Sequence, residues 1–126
     1  MRTAIVVFAH GSSVPAANET VRVVAARLAQ AGGYDYVEPA FLEQCAPDLQ
    51  EAVRSLVERG ATRILIIPYF LTLGIHLQRD LPRIVEELRG IYDHVRIDVT
   101  PPLDGHPALL EILLDRAAEG LEGRGI

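Results

Sequence analysis

Three segments of this 126-residue chain combine imidazole or carboxylate with small and apolar neighbours. His10 opens His10-Gly11-Ser12-Ser13, Glu43 lies two residues before the lone cysteine, Cys45, and His76 closes Leu71-Thr72-Leu73-Gly74-Ile75-His76. Neutral imidazole and carboxylate are both suitable ligands for a divalent first-row metal. A site with few protein ligands leaves coordination positions open, as metal transfer requires. Each residue also has an ordinary explanation: a loop or capping histidine for His10, a solvated carboxylate for Glu43, an N-terminal helix cap for His76. What would make them a site is convergence, and that depends on the elements carrying them.

Four apolar runs alternate with four helical patterns. Ala4 to Ala9 (AIVVFA) is continuous and rich in β-branched residues, as a strand buried on both faces would be. Tyr36 to Leu42 is interrupted by Glu38 and Pro39 and reads as a weaker strand nearer an edge. Arg63 to Phe70 is a second buried strand, and Val95 to Val99 alternates with Arg96 and Asp98, so one of its faces should be wet. The helical stripes are Ala17, Val21, Val24, Ala25 and Leu28; Leu49, Ala52, Val53, Leu56 and Val57; Leu77, Leu81, Ile84, Val85 and Leu88; and Leu109, Leu110, Leu113, Leu114 and Ala117. Pro47 and Pro107 suit first helical positions, and Gly60 and Gly90 suit helix ends. Pro82 falls in the first turns of the third helix, where it costs least.

The order predicts a three-layer α/β fold: a parallel four-stranded sheet with helices on both faces, flavodoxin-like in outline. One domain should span residues 1–126, with 118–126 a frayed tail. Ligands of such sheets bind beyond the carboxyl ends of the strands. His10 follows the first strand, Glu43 the second and His76 the third, so all three converge on one rim.

Composition narrows the partners. A formal charge of −5 argues against nucleic acid, whose phosphates need a basic surface. The longest apolar stretch, Ile64 to Leu73, is too short to span a bilayer and is broken by Pro68. Met1-Arg2-Thr3 leads straight into a strand-like run without a signal-peptide pattern, and a single cysteine suits a reducing compartment, so the cytoplasm is expected. All twelve basic residues are arginines, which can grip carboxylates bidentately.

Rival chemistries fail on their motifs. His10-Gly11-Ser12-Ser13 is not accompanied by the G-x-S-x-G elbow of an α/β-hydrolase. A histidine phosphatase would carry Arg where Ala9 stands, and no phosphate-binding glycine pattern follows the first strand. Cys45 is a soft-ligand candidate, with an inert buried thiol the commoner outcome. His94 precedes the fourth strand at the opposite rim. His106, before Pro107, suits a helix cap or a supporting group behind a ligand. Asp80, four residues after His76, could orient that imidazole or simply favour the helix N-terminus.

The motifs together resemble the small sirohydrochlorin chelatases. The match runs through Phe8-Ala9-His10-Gly11-Ser12, then Ala40-Phe41-Leu42-Glu43 with Pro47, and Pro101-Pro102-Leu103 with Gly105-His106-Pro107. Its most specific part is Pro68 to Pro82, similar to that family's P-x-F-L-x-x-G-x-H-x-x-x-D-x-P signature. The resemblance implies a class II chelatase-like fold that needs no ATP and holds no permanent cofactor. It implies that His10 and His76 bind the incoming metal and that Glu43 assists as a catalytic group. Gly11, Ser12, Phe70, Leu71, Gly74 and Arg79 would face the substrate, with Asp80 and His106 behind the ligands. The expected reaction is insertion of Co²⁺, or alternatively Fe²⁺ or Ni²⁺, into a sirohydrochlorin-type tetrapyrrole, in a homodimer as short members form. Many relatives carry Arg where Ser13 stands, so contacts to substrate carboxylates would differ. A non-catalytic metal or tetrapyrrole carrier, and an interaction domain with incidental histidines, are the alternatives.

Overall fold

The computed structural model describes residues 2–126 as a strictly alternating chain of strands and helices. The elements are β1 (Thr3–Ala9), α1 (Pro15–Gly32), β2 (Tyr36–Phe41), α2 (Leu49–Glu58), β3 (Arg63–Pro68), α3 (Ile75–Ile91), β4 (Arg96–Val99) and α4 (Ala108–Leu121). All strand pairs are parallel, in the order β2-β1-β3-β4. The continuous apolar run of β1 is thus an interior strand, and Ala4 to Ala9 are all buried. The proline-containing β2 lies at one edge, where Pro39 withdraws a donor at least cost, and β4 forms the other.

Alternation sorts the side chains into two faces. Ala4, Val6 and Phe8 of β1 join Ile64 and Ile66 of β3 under α2 and α3 in the larger core. The α2 stripe of Leu49, Ala52, Val53 and Leu56 is buried there, as are Leu77, Leu81, Val85 and Leu88 of α3. On the opposite face Val7 and Ala9 pack with Phe41 and with Val21 and Ala25 of α1.

Helix ends follow local chemistry and correct several expectations. Asp48, not Pro47, precedes α2: its carboxylate accepts from the Glu51 N–H while the Glu51 side chain accepts from the Asp48 N–H, a reciprocal cap. Pro47 lies one residue further out, joined to Ala46 by a cis peptide. Gly60, in a left-handed conformation at φ 95°, follows the end of α2 as expected. Gly90 does not end α3, which continues to Ile91, with the Tyr92 N–H reaching the Leu88 carbonyl. Helix α4 likewise runs on through residues 118–121 of the expected tail, supported by an Arg116–Glu119 ion pair at 2.7 Å that raises the Arg116 pKa.

The largest departure concerns coverage of the second face. Helix α1 packs on β1 and β2, whereas α4 buries none of its residues. Leu65 and Ile67, on the face of β3 turned away from the larger core, are therefore only half-buried. Among the described residues no helix is long and apolar enough to cross a membrane.

Because Leu56 is fully buried between α2 and the sheet, Leu56→Ala should lower the unfolding free energy by about 2–5 kcal/mol in urea titrations. A loss under about 0.5 kcal/mol would show that α2 does not seat on the sheet in this way.

Candidate metal site at the carboxyl rim

The end of β1 is held on both sides by backbone bonds that outlast the strands. The Leu42 N–H donates to the Ala9 carbonyl at 2.9 Å and the Glu43 N–H to the His10 carbonyl at 3.1 Å. On the β3 side the Tyr69 N–H donates to the Phe8 carbonyl at 2.7 Å. These bonds bring the His10 and Glu43 backbones side by side although the residues are far apart in sequence. Gly11 makes the approach possible: at φ 88° a Cβ would be strained, and it would overlap the Glu43 carbonyl oxygen.

Two further devices fix the rim loops. Asn18, buried in the first turn of α1, donates from Nδ2 to the Ser12 carbonyl at 2.8 Å and accepts the Ser12 N–H on Oδ1 at 2.9 Å. The Ser12 hydroxyl accepts the Val14 N–H at 3.0 Å. Beyond Glu43, Gln44 adopts a left-handed φ of 71°, a conformation that costs an ordinary residue about 1–2 kcal/mol. The loop then returns to β2, where the Phe41 N–H donates to the Pro47 carbonyl at 2.9 Å.

The His10 ring has one nitrogen engaged and one free. Nδ1 lies 3.0 Å from the Gly11 carbonyl oxygen, and because a carbonyl can only accept, Nδ1 carries the proton in the neutral ring. Nε2 is left with its lone pair, 3.6 Å from Glu43 Oε1. That distance is long for a hydrogen bond but close to the span of two ligands on one ion. Bonds of about 2.1 Å at a tetrahedral angle put their donor atoms about 3.4 Å apart. Both side chains are more than half exposed, so an ion arriving from solvent can reach them. The Phe70 ring meets His10 edge-on at 6.4 Å between centroids and is itself backed by Phe8 at 5.8 Å.

His76 occupies the second position of α3, exposed, on the same rim. Gly74 precedes the helix without a side-chain cap, so His76 is not the helix cap; Gln78 instead donates from Nε2 to the Leu73 carbonyl at 3.0 Å. Among the described residues no three His, Cys, Asp or Glu side chains lie close enough to hold an ion together. His10 and Glu43 are brought within reach of each other, and His76 stands apart as a separate group. Asp80 does not hydrogen-bond His76; its ion-pair partner is Arg83, at 3.7 Å. Pro107 stands at the N-cap of α4 rather than at its first helical position, and His106, one residue further out, accepts the Ala108 N–H on Nδ1 at 3.0 Å. Cys45 is half-buried, with Arg22 Nη2 at 3.1 Å from its sulfur. His94 is exposed beside Asp93.

Four rim residues escaped attention in the sequence. Asn18 had a signal, a polar residue three before Val21 and seven before Ala25 on a buried stripe. Tyr69, Leu71 and Ile75 are exposed by 38%, 65% and 74%, and with Leu42 at 37% they give the rim an apolar surface; only Leu71 had been singled out.

Fold and rim define a small doubly wound α/β protein with an exposed imidazole and carboxylate, His10 and Glu43, side by side beyond its strand ends. The sequence model of the CbiX family matches residues 4–120, and the chain belongs to that family. It is 32% identical to the sirohydrochlorin cobaltochelatase of Methanopyrus kandleri, with 94% of this chain and 96% of that one aligned. The Priestia megaterium sirohydrochlorin cobaltochelatase is 33% identical over 96% of this chain, which spans 39% of its length. The chloroplastic sirohydrochlorin ferrochelatase of Arabidopsis thaliana is 30% identical over 89% of this chain, which spans half of it. Among solved structures, a CbiX protein assigned to cobalamin biosynthesis from Marinobacter aquaeolei VT8 superposes with a TM-score of 0.81 at 28% identity, covering 95% of this chain and 98% of that one.

The Asn18 clamp should be measurable without any ligand. Asn18→Ala is expected to cost about 1–3 kcal/mol in chemical denaturation, because it strips both backbone groups of Ser12 of their partner. It should also shift the His10 ring resonances. Unchanged stability and unchanged His10 signals would remove Asn18 from the account of the site.

Proposed function

We propose that this chain is a sirohydrochlorin chelatase, placing Co²⁺ into the tetrapyrrole without ATP, with Fe²⁺ and Ni²⁺ as the next candidates. The observation that carries the reading is His10 Nε2 standing 3.6 Å from Glu43 Oε1 on an exposed rim, with Nδ1 turned to the Gly11 carbonyl. The relatives named above as sirohydrochlorin cobaltochelatases and a ferrochelatase support the substrate and the reaction. Imidazole and carboxylate accept all three metals, so the preference for cobalt leans on the two cobaltochelatases. The lone, reduced Cys45 suits a cytoplasmic enzyme.

Insertion exchanges an M²⁺ ion for two pyrrolic protons. The ion trades water for ring nitrogens, and two N–H bonds must break as the M–N bonds form. His10 holds the ion through Nε2, and His76 approaches from the start of α3 as the second imidazole. Glu43 accepts protons leaving the ring and passes them to solvent, to which it is open. Phe70, Leu71 and the exposed Ile75 support the macrocycle, while Arg79, exposed on α3, meets its carboxylates. A ligand set this small binds the ion weakly enough to surrender it.

The direct test is anaerobic metal insertion into sirohydrochlorin, followed by visible absorption and with the three metals in competition. His10→Ala, Glu43→Ala and His76→Ala should each slow insertion by about a hundredfold or more. Wild-type rates in both histidine variants would end the proposal. Release of many metallated rings per chain distinguishes the enzyme from a stoichiometric carrier. Metal binding should weaken as pH falls, because protons compete for the Nε2 lone pair; Zn²⁺ affinity that holds constant into acid would show that no imidazole is bound.

A further inference from the structure

Among the described residues Gln44 is the sole non-glycine with a left-handed backbone, at φ 71°. That conformation presses Cβ against a carbonyl oxygen, so Gly adopts it freely and Asn more readily than other side chains. The turn by itself would favour Gly or Asn. Strained residues persist where the surroundings over-determine them, and they cluster at binding and catalytic sites. Gln44 directly follows Glu43.

The two neighbours show what holds the turn. On one side the Glu43 N–H donates to the His10 carbonyl at 3.1 Å, and the Glu43 carboxylate is turned to His10 Nε2. On the other side Arg22 donates from Nη2 to the Cys45 sulfur at 3.1 Å. The same guanidinium rests over the Phe41 ring, 5.6 Å from its centroid, and pairs with Glu19 at 3.3 Å. The turn is thus clamped before and after Gln44. Its own side chain takes part in neither contact and is exposed on the rim.

We propose that Gln44 is a substrate-binding residue, its amide N–H donating to a carboxylate on the periphery of the tetrapyrrole. The contact presupposes the tetrapyrrole substrate proposed above and adds a residue that recognises its edge. Consecutive Cα atoms are about 3.8 Å apart, so the amide stands one residue out from the pair that faces the ion, toward the periphery of the ring. Charge favours an amide at this place. A carboxylate arriving here meets the negative field of Glu43, and an acidic side chain at position 44 would add to the repulsion. A cationic one would pair with Glu43 and compete with the metal. Arg22, the cation on this side, is already engaged by Glu19, Cys45 and Phe41. Arg79 serves the opposite side, from α3. A neutral donor binds the anion and leaves Glu43 free.

Equilibrium binding of metal-free sirohydrochlorin to the full chain, read by its visible absorption, tests the contact without requiring insertion. Gln44→Gly should weaken binding about tenfold, the worth of one hydrogen bond to a charged group. Its unfolding temperature should be no lower than that of the wild type, because relief of the left-handed strain offsets the flexibility of glycine. Gln44→Glu, of the same length but anionic, should weaken binding further than Gln44→Gly. A synthetic porphyrin without carboxylates should bind all three chains alike. In insertion assays Gln44→Gly should raise KM by about the factor seen in binding, with kcat falling less than twofold. Sirohydrochlorin affinity indifferent to both substitutions would overturn the proposal. So would a binding loss matched by a lower unfolding temperature, which would make the side chain structural, or an equal loss with the uncharged porphyrin. A wild-type chain that binds no sirohydrochlorin overturns this contact and the chelatase reading together. One that binds it through Gln44 yet inserts no metal leaves the contact standing and removes the reaction.

Discussion

Two backbone hydrogen bonds at the top of the sheet, Leu42 to Ala9 and Glu43 to His10, are what the rest of the rim depends on. They carry the parallel pairing of β1 and β2 past the last residues of both strands, so the loops leave the sheet together. A carboxylate on an untethered loop would have no fixed neighbour. Here its backbone is tied to the residue that bears the imidazole, and Gly11 is the only residue type that lets the two chains come so close. Asn18 and the Gln44 turn then hold the loops from either side. The outcome is an imidazole and a carboxylate whose backbones are held side by side while their side chains stay open to water.

Much of this was legible in the sequence because the period of apolar residues reports burial directly. The β-branched run of β1 and the interruption at Glu38-Pro39 located the central and edge strands. Once parallel order was inferred, the rim positions of His10, Glu43 and His76 followed from the strand ends alone. What periodicity cannot report is contact between loops. The pairing of His10 with Glu43, rather than with His76, arises from backbone bonds that have no side-chain signature. Pro47 fits a first helical position on preference alone, but the reciprocal cap between Asp48 and Glu51 is the stronger local signal and starts α2 later. Gly90 was overruled because Leu88 is anchored in the core and the turn beyond it remains hydrogen-bonded.

Helix α4 shows a different limit. Its leucine stripe predicts a buried face, whereas the structure buries none of its residues, because periodicity says that a face is apolar and not what covers it. The stripe stays exposed, and Leu65 and Ile67 on the facing side of β3 stay half-buried. The connection that leads into α4 is tied to the rim through the backbone bonds of Leu103 and Asp104 to Phe70 and Leu71.

The central claim is that His10 presents an unprotonated Nε2 because Nδ1 is committed to the Gly11 carbonyl. Long-range ¹H–¹⁵N correlation of the imidazole in mildly alkaline solution reads this tautomer directly. The account predicts Nδ1–H as the dominant form, with the Nε2 resonance alone moving strongly when Zn²⁺ is added. A ring protonated mainly at Nε2, or one whose nitrogens ignore the metal, would contradict it.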